Sequence, residues 1–159
     1  MAFKFEIIKY DISKFPFAEI IKKILNVDSL EKIHDKFMFS NDIKGIGSDT
    51  QTSAHEIFYA HLNKNNSEIL SLYYKFISEV LFKKFDNQIL FQKKPGFRIQ
   101  NLNNKAVSTW HSDGDDENKH PPGEINIFLP LTRAFGNNSI WIETEPGKQD
   151  YHPIRLEYG

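Results

Sequence analysis

The pattern of apolar residues changes near residue 88, and this change constrains the fold more than any other feature of the sequence. Before it, apolar side chains recur at helical spacing; after it, short apolar runs alternate with turn pairs such as Pro95-Gly96. Helices followed by strands are typical of an α+β protein rather than of an alternating α/β sheet. We therefore predict a single domain over residues 1–159, with a helical lead-in over 1–87 and a β portion over 88–159.

Four helices are predicted in the first part from apolar spacing and capping residues. Asp28 with Glu31, and Ser53 with Glu56, have the spacing of a capping box. The predicted helices cover residues 16–25, 28–39, 53–62 and, after a cap at Asn66 or Ser67, the stretch that ends at Phe85.

Five strand-like segments follow, each bounded by turn residues. They cover residues 89–92, 97–100, 124–129, 139–143 and 154–157. Short strands in this number favour a sandwich or a jelly roll, and a jelly roll usually has about eight strands. We therefore expect only part of a jelly roll. An open strand edge and an uncovered apolar face would pair with another copy, which predicts a homo-oligomer.

Charge and composition narrow the class of protein. The formal net charge is −1, which indicates neither a nucleic-acid partner nor a membrane surface. Cysteine is absent, which excludes disulfides, thiolate metal sites and cysteine nucleophiles. Charged residues interrupt the N-terminus, and no apolar run approaches the roughly 20 residues of a membrane span. We predict a cytoplasmic protein that acts on a small molecule.

The segment Trp110-His111-Ser112-Asp113 carries the clearest chemical pattern. Residues i and i+2 of a strand project from the same face, so His111 and Asp113 can offer an imidazole and a carboxylate to one metal ion. These donors belong to the facial triad that holds ferrous iron and leaves positions open for a cosubstrate and oxygen. By itself the pair is a weak signal, because His111 could equally cap a loop and Asp113 begin an acidic turn.

Other histidines give no metal pattern. His34, His55 and His61 lie in the predicted helices, where we interpret them as surface or capping residues. His55 and His61 are six positions apart and so do not share a helix face as an i, i+4 zinc pair would.

The sequence around the motif extends the pattern. The further segments are Phe97–Gln100, His120-Pro121, Glu124–Asn126, Pro130–Thr132 and Asn138–Glu143. Together with Trp110–Asp113, they resemble the iron(II)- and 2-oxoglutarate-dependent dioxygenases, in particular the phytanoyl-CoA-hydroxylase-like group. The resemblance covers roughly residues 90–159. It implies a double-stranded β-helix of the jelly-roll or cupin type.

The resemblance also implies an activity, its cofactors and its ligands. The activity is hydroxylation of a small sugar- or acid-containing substrate, with Fe(II) and 2-oxoglutarate as cofactors. His111 and Asp113 would be the first two iron ligands.

Four more residues are implied at the binding pocket. Arg98, Gln100 and Asn126 would lie on flanking strands and hydrogen-bond the cosubstrate or an acidic substrate. For Arg98 an ordinary surface ion pair remains open, and for Asn126 a position that merely faces solvent. Trp141 is included among the binding residues, although packing in the core is also open for it.

The resemblance further implies a distal histidine ligand and a basic residue that anchors 2-oxoglutarate. Of the later histidines, His120 lies in a Pro-rich loop and His152 precedes Pro153 at a turn, and neither matches the distal position. We therefore expect the sequence to lack the end of the domain and to be inactive in this form. Two other classes remain open: a non-catalytic cupin-like module that binds a small ligand, and a cupin-like isomerase or epimerase with a histidine base.

Overall fold

A computed structural model describes residues 5–37, 52–85, 88–100, 123–145 and 147–159. The helices are α1 (Phe17–Leu25), α2 (Ile33–Lys36), α3 (Ser53–Leu62), α4 (Glu68–Phe76) and α5 (Phe82–Lys84). A π-helical turn, Ile77–Leu81, joins α4 to α5, and a 3-10 turn spans Gly136–Asn138. Strands β1 (Trp141–Ile142) and β2 (His152–Pro153) pair antiparallel. This order of elements confirms the α+β class.

The N-terminus of α1 is capped by a residue from the other end of the chain. Pro16 occupies the cap position and has no side-chain acceptor. Instead, the Tyr158 hydroxyl accepts a hydrogen bond from the Ala18 amide at 3.1 Å and donates one to the Phe15 carbonyl at 3.2 Å. It thereby satisfies one of the amides that a first helical turn leaves unpaired. This contact joins the helical part to the β part.

The other end of α1 is closed by α2. Asn26 adopts the left-handed conformation, with φ of 52°, which is a common way for a helix to end. The Lys36 ammonium donates to the carbonyls of Leu25 at 3.0 Å and Asn26 at 2.7 Å. A cation at this position also opposes the negative end of the helix dipole.

The core lies between α1, α3 and the helix formed by α4 and α5. Phe76 is its aromatic centre, because it meets Tyr10, Phe15 and Phe17 edge to face at centroid distances of 5.2, 5.4 and 5.5 Å. Such pairs contribute about 0.5–1.5 kcal/mol each beyond the burial of their area. The buried residues of the segment 97–100 complete this core.

Three of the predicted helices are confirmed, one is shortened, and the predicted cap of α3 needs correction. α1 lies within the predicted range, and the long helix begins after Ser67, whose hydroxyl accepts from the Leu70 amide at 3.2 Å. The predicted helix at 28–39 is reduced to α2 in the described residues, because turns occupy the preceding positions. α3 is capped by Thr52 rather than Ser53, and its box partner is His55 rather than Glu56.

The β part differs from the prediction more strongly. β1 lies within the predicted strand 139–143, and the segment 154–157 contributes Leu156, which forms an isolated antiparallel bridge with Ala134. β2 falls where we predicted a turn. Segments 89–92, 97–100 and 124–129 add no strand to the sheet of the described residues. Apolar alternation indicates which face of a segment is buried, but it does not select the backbone partner. The jelly roll therefore stays a prediction.

Two further predictions concern membrane spans and association with another copy of the chain. None of the helices in the described ranges is long and apolar enough to cross a membrane. The segment 123–130 carries exposed apolar side chains at Ile125, Ile127 and Phe128. The predicted homo-oligomer remains a prediction.

We expect Tyr158→Phe to lower the free energy of unfolding by about 1–3 kcal/mol, because it leaves the partly buried Ala18 amide without its partner; the Phe15 carbonyl keeps its hydrogen bond from the Phe17 amide, 2.9 Å long. Tyr74→Phe is the matched control. It removes an exposed hydrogen bond from the Tyr74 hydroxyl to the Lys93 carbonyl, 2.9 Å long, which water can replace. This control should cost no more than about 0.5 kcal/mol. Urea denaturation followed by circular dichroism measures both. Equal losses would show that the Tyr158 hydroxyl has no special role.

Candidate functional site

The two predicted iron ligands, His111 and Asp113, lie outside the described residues, as does His120. Within residues 5–37, 52–85, 88–100, 123–145 and 147–159, no three His, Asp or Glu side chains form a group that could hold a metal ion. His152 is exposed in β2. The other predicted site residues, Arg98, Gln100, Asn126 and Trp141, lie within the described residues.

Arg98 and Gln100 lie on one exposed face of the segment that follows Gly96. Their neighbours Phe97 and Ile99 alternate with them and are both 7% exposed. This is the period-2 pattern of a strand, in which neighbouring side chains project to opposite faces. The guanidinium and the amide are therefore open to a ligand, while the apolar face fixes the segment to the core.

Helix α3 determines where this segment lies. The Phe97 ring stacks on Phe58 at a centroid distance of 4.2 Å and an interplanar angle of 23°. The Phe97 amide donates to the Tyr59 hydroxyl at 3.0 Å. Stacking and a directional hydrogen bond together restrict both the depth and the rotation of the segment. The exposed face that carries Arg98 is thus positioned by buried contacts on its opposite side.

The remaining predicted pocket residues lie in other segments. Asn126 is exposed in the segment 123–130. Trp141 is partly buried in β1, and its indole N–H donates to the Gly136 carbonyl at 3.1 Å. This hydrogen bond ties β1 to the 3-10 turn, which favours a structural role for Trp141. The structure thus places Arg98 and Gln100 together, with Asn126 and Trp141 on other segments.

Acidic side chains of the loop between β1 and β2 are engaged in the loop itself. The Glu143 carboxylate accepts from the amides of Gly147 at 2.6 Å and Gln149 at 3.0 Å. Asp150 accepts from the Thr144 amide at 3.0 Å and from the Thr144 hydroxyl, and these hydrogen bonds lower the pKa of Asp150. Both carboxylates therefore stabilise the turn, as acceptors commonly do in tight loops.

A shallow depression of about 360 Å³ lies between α1, the turn at 28–31 and the C-terminal segment. Four carboxylates line it, two of them in ion pairs: Glu19 with Lys22 at 2.7 Å, and Glu157 with Arg133 at 3.0 Å. No sequence pattern marked this surface as a site. Its residues come from distant parts of the chain: Asp28 and Glu31 were interpreted as a capping box, and Leu131 and Thr132 belong to one of the segments that carry the family resemblance.

The sequence was also compared with those of known proteins. Over 151 residues, which cover 95% of this chain and 70% of the relative, it is 30% identical to the streptomycin biosynthesis protein StrG of Streptomyces griseus. The aligned region necessarily includes both the helical part and the β part. No protein-family model matches the chain, and no solved structure matches it.

Substitutions in the segment 97–100 should affect stability differently on its exposed and buried faces. We expect Arg98→Ala and Gln100→Ala to change the free energy of unfolding by no more than about 0.5 kcal/mol, because both side chains are exposed. Phe97→Ala should cost about 3–5 kcal/mol through lost burial and the cavity that it leaves. Chemical denaturation measures all three. A loss at Arg98 as large as that at Phe97 would make Arg98 a structural residue.

Proposed function

Because this chain belongs to the family of the streptomycin biosynthesis protein StrG, we propose that it takes part in the biosynthesis of a small polar natural product. The observation that carries this proposal is the 30% identity over 95% of the chain. Because the match covers 95% of the chain, it involves both the helical part and the β part rather than one short motif.

The proposed chemistry is hydroxylation by an iron(II)- and 2-oxoglutarate-dependent oxygenase. Support for it comes from His111 and Asp113, whose imidazole and carboxylate suit ferrous iron, and from the motifs around them. When bound, iron with 2-oxoglutarate supplies the oxidising power to attack a C–H bond of the substrate. The chain would hold the metal through these two side chains and keep the reacting carbon of the substrate beside it.

In this proposal, the exposed face of the segment 97–100 binds an acidic group of the cosubstrate or of the substrate. Arg98 presents paired N–H donors that match the geometry of a carboxylate, either of the cosubstrate or of an acidic substrate. The amides of Gln100 and Asn126 can both donate and accept, which suits hydroxyl groups. The buried contacts of Phe97 with α3 would keep Arg98 in place without any ligand present.

A double-stranded β-helix is part of the proposal. It is supported by the antiparallel pairing of residues 134–142 with 152–156. Besides the β1–β2 pairs, this includes the Ile154 amide donating to Ile140 at 3.0 Å and the two reciprocal bonds between Ala134 and Leu156 at 2.9 and 3.0 Å.

Anaerobic titration of the chain with Fe(II) and 2-oxoglutarate tests the proposed chemistry. Since neither a distal histidine nor a 2-oxoglutarate anchor is assigned in this sequence, we expect weak Fe(II) binding through His111 and Asp113. His111→Ala and Asp113→Ala should each weaken iron binding at least about tenfold, since even outer-shell substitutions cost about 10–100-fold. His34→Ala is the matched control, because His34 lies on α2 in an exposed pair with Asp35, 3.3 Å away.

The control variant should titrate like the native chain. If the native chain does not bind iron, or if His111→Ala leaves iron binding unchanged, the oxygenase chemistry is wrong. The family membership would then point to a binding role in the same biosynthesis.

A further inference from the structure

His55 is a buried histidine in the first turn of α3, only 2% exposed. Its Nδ1 accepts a hydrogen bond from the Thr52 amide at 3.3 Å and lies 2.8 Å from the Thr52 hydroxyl oxygen. Because Nδ1 is the acceptor, the ring is neutral and its proton is on Nε2. Within the described residues, Nε2 has no hydrogen-bond partner.

The same ring contacts the segment that carries Arg98. The His55 and Phe97 rings lie 5.4 Å apart at an interplanar angle of 56°. Together with the Phe58 stack and the Tyr59 hydroxyl, this contact surrounds Phe97. We call His55, Phe58 and Tyr59 the α3 clasp. His55 therefore contacts both the capping residue of α3, Thr52, and the segment 97–100 through Phe97.

The surroundings of His55 offer it no compensating charge among the described residues. Burial lowers the pKa of His55 below its ordinary value of 6.5, and the backbone of Phe97 offsets only part of this effect. The charged groups of the elements around it are on exposed or partly exposed positions. These are Glu56 and His61 on α3, Glu19, Lys22 and Lys23 on α1, Glu68 and Lys75 on α4, and Arg98 on the segment beyond Phe97.

We propose that His55 is a pH-sensitive latch, in which the neutral ring keeps the α3 clasp closed on Phe97 and the protonated ring opens it. Protonation puts a hydrogen on Nδ1, which can then no longer accept from the Thr52 amide. It also places a charge in a buried, largely apolar site, which disfavours the protonated ring. Opening the clasp frees Phe97, and with it the exposed face of Arg98 and Gln100.

The direction of the pH dependence follows from the lowered pKa. Between that pKa and about 6.5, the open state binds a proton that the closed state does not. The clasp is therefore fully stable above about pH 6.5 and loses stability as the pH falls toward the lowered pKa. One linked proton raises the opening equilibrium constant by at most about tenfold per pH unit.

Hydrogen exchange measures this opening in the metal-free chain. The protection factor of the Phe97 amide, corrected for the intrinsic exchange rate, should fall by up to about tenfold per pH unit below about pH 6.5. The Ala134 amide is an internal control, because it is bonded to the Leu156 carbonyl at 2.9 Å in the β part. Its protection factor should stay constant over the same range.

A pair of glutamine variants assigns the effect to His55. Glutamine at this helix position can accept from the capping amide as it does in a capping box, and it does not titrate. His55→Gln should therefore keep the clasp closed and remove the pH dependence. His61→Gln is the matched control on the same helix, where the partly exposed ring contacts the Ile57 carbonyl at 3.0 Å. It should behave like the native chain.

Two results would overturn the proposal. One is a pH dependence of Phe97 protection in His55→Gln equal to that of the native chain. The other is a titration of the His55 ring, followed by NMR in the native chain, with a pKa at or above 6.5, and this measurement decides even if the variant does not fold. Neither result bears on the proposed iron chemistry. Only the effect of opening on Arg98 as a ligand-binding residue rests on the proposed function.

Discussion

The arrangement of the helical part and the β part depends on the two hydrogen bonds of the Tyr158 hydroxyl. Helix α1 has no acceptor of its own at its first turn, and its buried face covers α3 and α4. Tyr158 supplies the missing acceptor from the C-terminal segment and also donates to the Phe15 carbonyl. Next to these contacts, the Tyr10 amide donates a backbone hydrogen bond to the Gly159 carbonyl at 3.0 Å. Around these contacts the aromatic rings that surround Phe76 fill the space between the helices.

The helical part then supports the β part through α3. Phe97 is the point of attachment, because it contacts three side chains of this helix and continues into a segment with one buried and one exposed face. The buried face packs against α3, and the exposed face is available for binding. A helix without any proposed ligand contact of its own thus determines the position of Arg98. Such support is what a binding residue on a short extended segment needs to stay in one place.

Sequence patterns predicted the local features and not the long-range ones. The apolar stripe of α1 and the cap at Ser67 depend on residues within a few positions of each other, so they could be recognised. Thr52 and Ser53 are both good caps, and the choice between them depends on the burial of His55, which only the tertiary structure shows. At 97–100, Phe97 and Ile99 are buried while Arg98 and Gln100 are exposed, which agrees with the residue types along an extended segment. The pairing of β1 with β2 could not be foreseen, since a turn-like His152-Pro153 gives no strand signal.

The separation of the partners along the chain has a consequence for the order in which the fold forms. Tyr158 and Ala18 are 140 positions apart, whereas the helices and the hairpin are built from neighbours in sequence. Closing so long a loop costs entropy that local contacts do not incur. We therefore expect the helices and the hairpin to form early and the Tyr158 contact to form last. Folding kinetics should accordingly be limited by the meeting of the segments around Ala18 and Tyr158.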